Sequence, residues 1–173
     1  MKRNQAVLMA GLLLATSVVA AGRSKTAADG KVDAAAALER LKGLAGEWNA
    51  ESTHGKGHSQ FQVVAGGSVV MERFTEPGGA EMLTAYHLDG EKLVLTHYCM
   101  AGNEPRMVAE KFDAGSGELR FAFAGGANIG QSTGHMHDAA FRLLSNDRFD
   151  AKWDFVEGGK VKFSEDIHYT RVK

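Results

Sequence analysis

The side chains best suited to chemistry gather on a few short stretches. Residues 92–107 read Lys-Leu-Val-Leu-Thr-His-Tyr-Cys-Met-Ala-Gly-Asn-Glu-Pro-Arg-Met, an apolar start that gives way to Thr96, His97, Tyr98 and Cys99. His97 and Cys99 stand two apart, so on a strand their side chains are neighbours on one face. A cysteine–histidine pair is raw material for nucleophilic catalysis when the thiolate is stabilised and reachable. Glu72, Tyr86 and His97 offer a second chemistry, acid–base isomerisation or lyase chemistry, in which one group takes a proton and another returns it. His135 and His137 are also two apart. On a strand they present two imidazoles from one face to a metal ion, with a third ligand still to come from Glu72, His97 or Glu165. The alternative for every set is a hydrogen-bonded interior network or histidines at a rim.

Two glycine-rich stretches carry less. Residues 54–58, His-Gly-Lys-Gly-His, read as a solvated loop between two strands. Residues 125–132 have nearly the spacing of a phosphate-binding loop, but Gln131 stands in place of the lysine. A strand rather than a helix comes next, so the stretch reads as a glycine-rich loop over one end of the fold.

Composition narrows the field. The chain's 173 residues suit one domain with a real core. With 20 basic against 21 acidic residues, no electrostatic footprint for nucleic acid or an anionic membrane stands out. Glycine at 21 and proline at 2 fit short strands joined by glycine turns. Lys2, Arg3, the apolar run 6–20 and Val19-Ala20-Ala21 predict an export signal over residues 1–21, removed to leave a periplasmic or secreted protein. The run is shorter than the roughly 20 residues a membrane helix needs, so no span is expected after processing. A flexible tether is expected over 22–32 and a folded domain over 33–173. In an oxidising compartment the single Cys99 cannot close an internal disulfide, and is a buried small hydrophobe, an intermolecular link or a reactive thiol.

These groups must be positioned by strands. Asp33 can cap a short helix running to Leu44, with Leu38, Leu41 and Leu44 on one side and Gly46 closing it. After Gly46 the apolar period becomes two. Ten strands are predicted, over residues 47–53, 59–65, 68–75, 81–88, 91–100, 106–112, 118–123, 135–144, 148–156 and 160–172. Hairpin connections throughout predict a mainly β fold, an up-and-down antiparallel barrel of about ten strands with a short N-terminal helix, because closure removes exposed edges.

Turn positions give the faces. Pairing across Gly66-Gly67 sets Phe61 and Val63 with Val70, Glu72 and Phe74, and sends Glu72 inward. Pairing across Asp89-Gly90 puts Met82, Thr84 and Tyr86 on one face with Leu93, Leu95, His97 and Cys99, with His97 beside Met82. For the last hairpin a three-residue loop, 157–159, sets Phe155 opposite Val161 and keeps Phe149, Ala151 and Trp153 inside. Phe163, Glu165, Ile167, Tyr169 and Arg171 then face inward and His168 outward.

Gly46-Glu47-Trp48, directly after a helix and opening the first strand, resembles the lipocalin and calycin barrels. That resemblance implies a tryptophan closing the barrel floor beneath a basic residue of the last strand, here Trp48 beneath Arg171. Leu95-Thr96-His97-Tyr98-Cys99 with Gly102-Asn103 and Pro105-Arg106-Met107 resembles a family of uncharacterised exported bacterial proteins with a lipocalin-like barrel, from about Leu38 onward. It implies the barrel and brings no activity. His168 gives a more distant resemblance to nitrobindin-type barrels, which implies haem held by a histidine near the C-terminus. The outward register of His168 and the absence of a glycine-rich opening over residues 46–53 depart from that pattern.

The expected function is an exported lipocalin-like barrel that binds a small, largely apolar molecule, with Glu72, Thr84, Tyr86, His97 and Cys99 as ligand-binding residues. A cavity enzyme, a haem-binding barrel and a filled structural or envelope-interaction barrel are the alternatives. Haem or a metal ion at His135 and His137 stands behind an organic ligand as cofactor.

Overall fold

Asp33 starts the first element: its carboxylate accepts a hydrogen bond from Ala36 N–H at 3.0 Å, capping α1 (Ala34–Lys42). The computed structural model describes residues 32–76, 78–130 and 134–173. The predicted export signal, nearly all of the tether, and Gln131 and Ser132 therefore lie outside the described residues. Helix α1 stops at Gly43, earlier than the expected end at Leu44, and buries Ala34, Ala37, Leu38 and Leu41.

Ten strands succeed it: β1 (Gly46–Ser52), β2 (Gly55–Val64), β3 (Val69–Thr75), β4 (Glu81–Asp89), β5 (Lys92–Tyr98), β6 (Glu104–Asp113), β7 (Glu118–Ala127), β8 (His135–Leu143), β9 (Arg148–Glu157) and β10 (Lys160–Arg171). Each pairs antiparallel with its sequence neighbour, and β1 pairs with β10 to close the barrel. Among the described residues no helix is long and apolar enough to cross a membrane.

Three expectations change in detail. The glycines of residues 54–58 belong to β2 rather than to a loop, because Gly57 passes close to the Phe74 ring and the Thr75 carbonyl of β3. Gly125 and Gly126 likewise extend β7, with Gly126 opposite Pro105, so the strand runs on to Ala127 before any loop begins. The last hairpin has a two-residue Gly158-Gly159 turn, not a three-residue loop. Both glycines adopt positive φ, 58° and 72°, which suits the strand twist. The register shifts between Val161 and Phe163, so Lys162 is the extra residue and Phe163 meets Phe155. That bulge restores the inward face which the turn alone would have flipped.

Registers elsewhere keep the expected faces. Phe61 lies opposite Glu72 and Val63 opposite Val70. At β4–β5 the turn is Gly90-Glu91, so Asp89 meets Lys92 and His97 sits opposite Thr84 instead of Met82. The slip is two residues, which preserves every face.

The floor forms where β10 returns to β1. Trp48 lies opposite Arg171, fully buried, with the guanidinium carbon 4.2 Å above its ring centre. The indole N–H donates to Leu44 O at 2.8 Å, and Phe149 meets the ring edge-on at 4.9 Å. Arg171 donates to Ala45 O (2.7 Å), Gly43 O (2.9 Å) and Asn146 O (2.7 Å), tying the last strand to the helix end and the β8–β9 turn. Gly46 has φ 130°, and a Cβ there would stand 2.8 Å from Arg171 Nη1, so the first glycine of Gly-x-Trp makes room for the guanidinium. Helix α1 packs against β3, β4, β5 and β6 at this closed end. Above it, Phe61, Tyr86, Leu93, Leu95, Met107, Phe121 and Phe141 fill the middle of the barrel.

Candidate functional site

The end away from α1 carries the polar interior. Glu72 of β3 is 3% exposed and reaches three hydroxyls from three other strands: Ser59 donates to Oε1 at 2.8 Å, Tyr86 to Oε2 at 2.9 Å and Tyr169 to Oε1 at 3.4 Å. Burial raises the Glu72 pKa above the ordinary carboxylate value, and these hydroxyls pull it part of the way back. Tyr86 and Tyr169 are pushed well above the usual phenol value by burial and then by the neighbouring Glu72 charge.

His97, 5% exposed near the end of β5, bonds through Nδ1 to Thr84 Oγ1 at 2.9 Å and packs against Trp153, ring centres 5.3 Å apart. Its Nε2 is buried without a partner. Burial lowers its pKa to about 4, so the ring is neutral at physiological pH. A depressed folded-state value means that the unfolded chain takes the proton first as pH falls. Stability contributed at pH 7 is therefore lost between about pH 6.5 and the folded value of about 4, on the order of 3 kcal/mol at completion. Denaturation across that range should show the loss, and His97→Phe should flatten it; identical curves would place the titration elsewhere.

Glu72, Thr84 and His97 meet at one cavity of about 30 Å³, whose other walls are Phe74, Met82, Met136, Trp153, Glu165, Ile167 and Tyr169. That space holds a water molecule or two. Glu165, 9% exposed, lies 3.1 Å through Oε1 from His54 Nδ1, which reaches over from the β1–β2 turn. Neither Glu165 nor Trp153 stands in any chemical motif; only the alternation along β9 and β10 marks them as inward.

The other expected residues separate from this group. Tyr86 is not among the lining residues and reaches the cavity only through Glu72. The carboxylate pairs with hydroxyls, not with a histidine as a Glu–His relay would require. Cys99 lies beyond the end of β5 in a turn closed by Gly102 N–H to Cys99 O at 2.9 Å, outside the cavity lining. Burial pushes its thiol pKa up, which works against a nucleophilic thiolate.

His135 and His137 come together on β8, ring centres 5.5 Å apart, and both pack on Phe123 at 4.7 Å. A register shift between Met136 and Asp138 leaves His137 as the extra residue of a bulge, yet the two rings still meet beside Phe123. Among the described residues no group of three or more His, Cys, Asp or Glu is placed to hold a metal ion. His168 is exposed on the outer face, bonded through Nδ1 to Asp150 at 2.8 Å.

A larger concavity, about 650 Å³, lies outside the barrel over β7 to β10, with Glu118, Arg142, Asp150, Lys152, Asp166 and His168 on its walls. It is an open groove between outward side chains of mixed charge, and lacks the buried, unpartnered polar atoms of the interior.

The sequence matches no protein-family model and no curated protein. Two of the solved structures that are similar in fold illustrate the likeness. One is a protein of unknown function from the DUF3598 family of Nostoc punctiforme, at TM-score 0.50 and 10% identity over 76% of this chain. This chain spans about half, 49%, of that protein's length. The other is Rv2717c from M. tuberculosis, at TM-score 0.53 and 14% identity, with 79% of this chain and 98% of that one covered. At such identities the likeness concerns the fold, a lipocalin-like closed barrel.

Proposed function

We propose that this protein is an exported lipocalin-like barrel that binds a small, largely apolar molecule in its upper interior. The observation that carries the reading is His97 Nε2, a buried polar atom without a partner on the wall of a cavity. A buried polar group left unpaired costs about 1–3 kcal/mol, which a ligand group bonded there would recover. The surrounding walls are aromatic or flexible and apolar, the usual lining of a small-molecule site. Met82 and Met136 stand in the wall, and methionine is the side chain that repacks most readily. Support for export comes from the charged, apolar and small-residue order of residues 1–21.

A filled structural barrel is the second reading, favoured by the cavity's size of about 30 Å³, some tenfold below the ~300 Å³ at which ligand pockets usually begin. Native mass spectrometry on protein purified from its producing cells separates the two. The binding reading expects a retained organic molecule that His97→Ala releases while circular dichroism stays that of a barrel. An empty wild-type protein, unchanged by the substitution except in stability, would leave the filled barrel standing.

A further inference from the structure

The polar groups around the cavity are of one electrical kind. Glu72 and Glu165 both line it, and both are buried, at 3% and 9% exposure. Among the described residues no lysine or arginine is buried, so the interior contains no fixed cation to balance these carboxylates. Arg171 is engaged at the opposite end by Trp48 and three backbone carbonyls. Glu72 receives hydroxyl hydrogen bonds but no positive charge. Glu165 is bonded through Oε1 to His54, whose own side chain is largely exposed to solvent. Buried carboxylates in such a setting either take up a proton or acquire a cation from outside.

We propose that the ligand is a small organic cation, a primary or secondary amine on a compact apolar body. The inference rests on the ligand-binding reading above and names the ligand's chemical class. The acceptors for its N–H groups are Glu165, Glu72 and His97 Nε2. Glu72 Oε2 accepts only from Tyr86, which leaves it acceptor capacity. In the tautomer that donates from Nδ1 to Thr84 Oγ1, His97 Nε2 carries a lone pair rather than a proton and accepts the ligand's N–H. A neutral imidazole adds no repulsion to an ammonium group. Phe74, Trp153, Tyr169, Met82 and Met136 make up most of the remaining wall. Aromatic faces are electrostatically attractive to ammonium ions once water is removed. An anionic ligand would meet two carboxylates and no counter-charge, and a neutral one would leave the carboxylates as they are.

Three probes of matched size and different charge test this: benzylamine, benzyl alcohol and benzoate, titrated at pH 7 by calorimetry and by the indole N–H signal of Trp153 in NMR. Benzylamine should bind at least tenfold more tightly than benzyl alcohol, and benzoate should show no saturable binding. Glu165→Gln should remove most of the preference for the amine while retaining the barrel's circular dichroism and binding of the alcohol. If benzyl alcohol or benzoate binds as well as the amine, the cation assignment is wrong and the binding reading survives. A Met82→Ala, Met136→Ala double variant enlarges the cavity. If that variant and the wild type both ignore all three probes, the cation assignment and the binding reading fall together.

Discussion

Trp48→Ala should lower stability by about 3–5 kcal/mol, the range for losing a large buried aromatic. The indole is fully buried, so its removal opens a cavity at the floor. It also frees Leu44 O, beside the end of α1, from its 2.8 Å hydrogen bond. Arg171→Ala should cost less, about 1–3 kcal/mol, for three carbonyl partners left to water. The two losses should fall short of additive, because the guanidinium at 4.2 Å needs the ring beneath it. Arg171→Lys should recover little, since one ammonium cannot serve three carbonyls at once in the guanidinium plane. Urea denaturation of the double-mutant cycle measures all of this. A coupling of zero would mean that ring and cation stabilise the floor independently.

Glu72→Ala should cost about 2–4 kcal/mol, because it strands the hydroxyls of Ser59, Tyr86 and Tyr169 in a buried site. Glu72→Gln should be much milder, within ~1 kcal/mol, since the amide keeps the shape and an acceptor and loses the charge. The pH dependence has a definite sign. The folded-state pKa of Glu72 is raised, so its contribution to stability is fully present below the unfolded value and is lost as pH rises through the folded one. The ionisable groups around it are Tyr86, Tyr169, His97 and Glu165, and the tyrosines stay neutral through that window. Relative to wild type, Glu72→Gln should therefore gain stability as pH rises above the ordinary carboxylate value. Parallel denaturation curves for the two proteins over that range would show that the carboxylate titrates as it does in the unfolded chain. A site occupied by a cationic ligand would reverse the trend, since a bound ammonium favours the ionised carboxylate.

Much of the fold is legible in the sequence because a strand's two faces are written into alternate residues. A slip of two residues, as at β4–β5, changes partners and leaves faces alone, so the pattern places Glu72, Thr84, Tyr86 and His97 inward and the structure agrees. Where alternation stops, the pattern misleads. Extending it to Cys99 overruns a strand that ends at Tyr98. The β9–β10 hairpin departs from expectation for the complementary reason: Gly158-Gly159 forms the tight turn its glycines favour, and a bulge absorbs the parity. Bulges leave little local mark in composition, since their place depends on the partner strand.

The sequence by itself determined the strand number, the inward faces, the Gly46–Trp48–Arg171 closure and the isolation of the single cysteine from any internal disulfide. Each of these rests on local periodicity, on turn chemistry or on a short motif with a known neighbour. Only the tertiary structure decided that Glu72 answers to hydroxyls from β2, β4 and β10, that His97 turns one nitrogen to Thr84 and leaves the other bare, and that about 30 Å³ remains open between them. Those partners lie from 13 to 97 residues apart along the chain. The open volume is a small remainder after side chains from most of the barrel's strands have packed, and no single strand's residues specify a remainder.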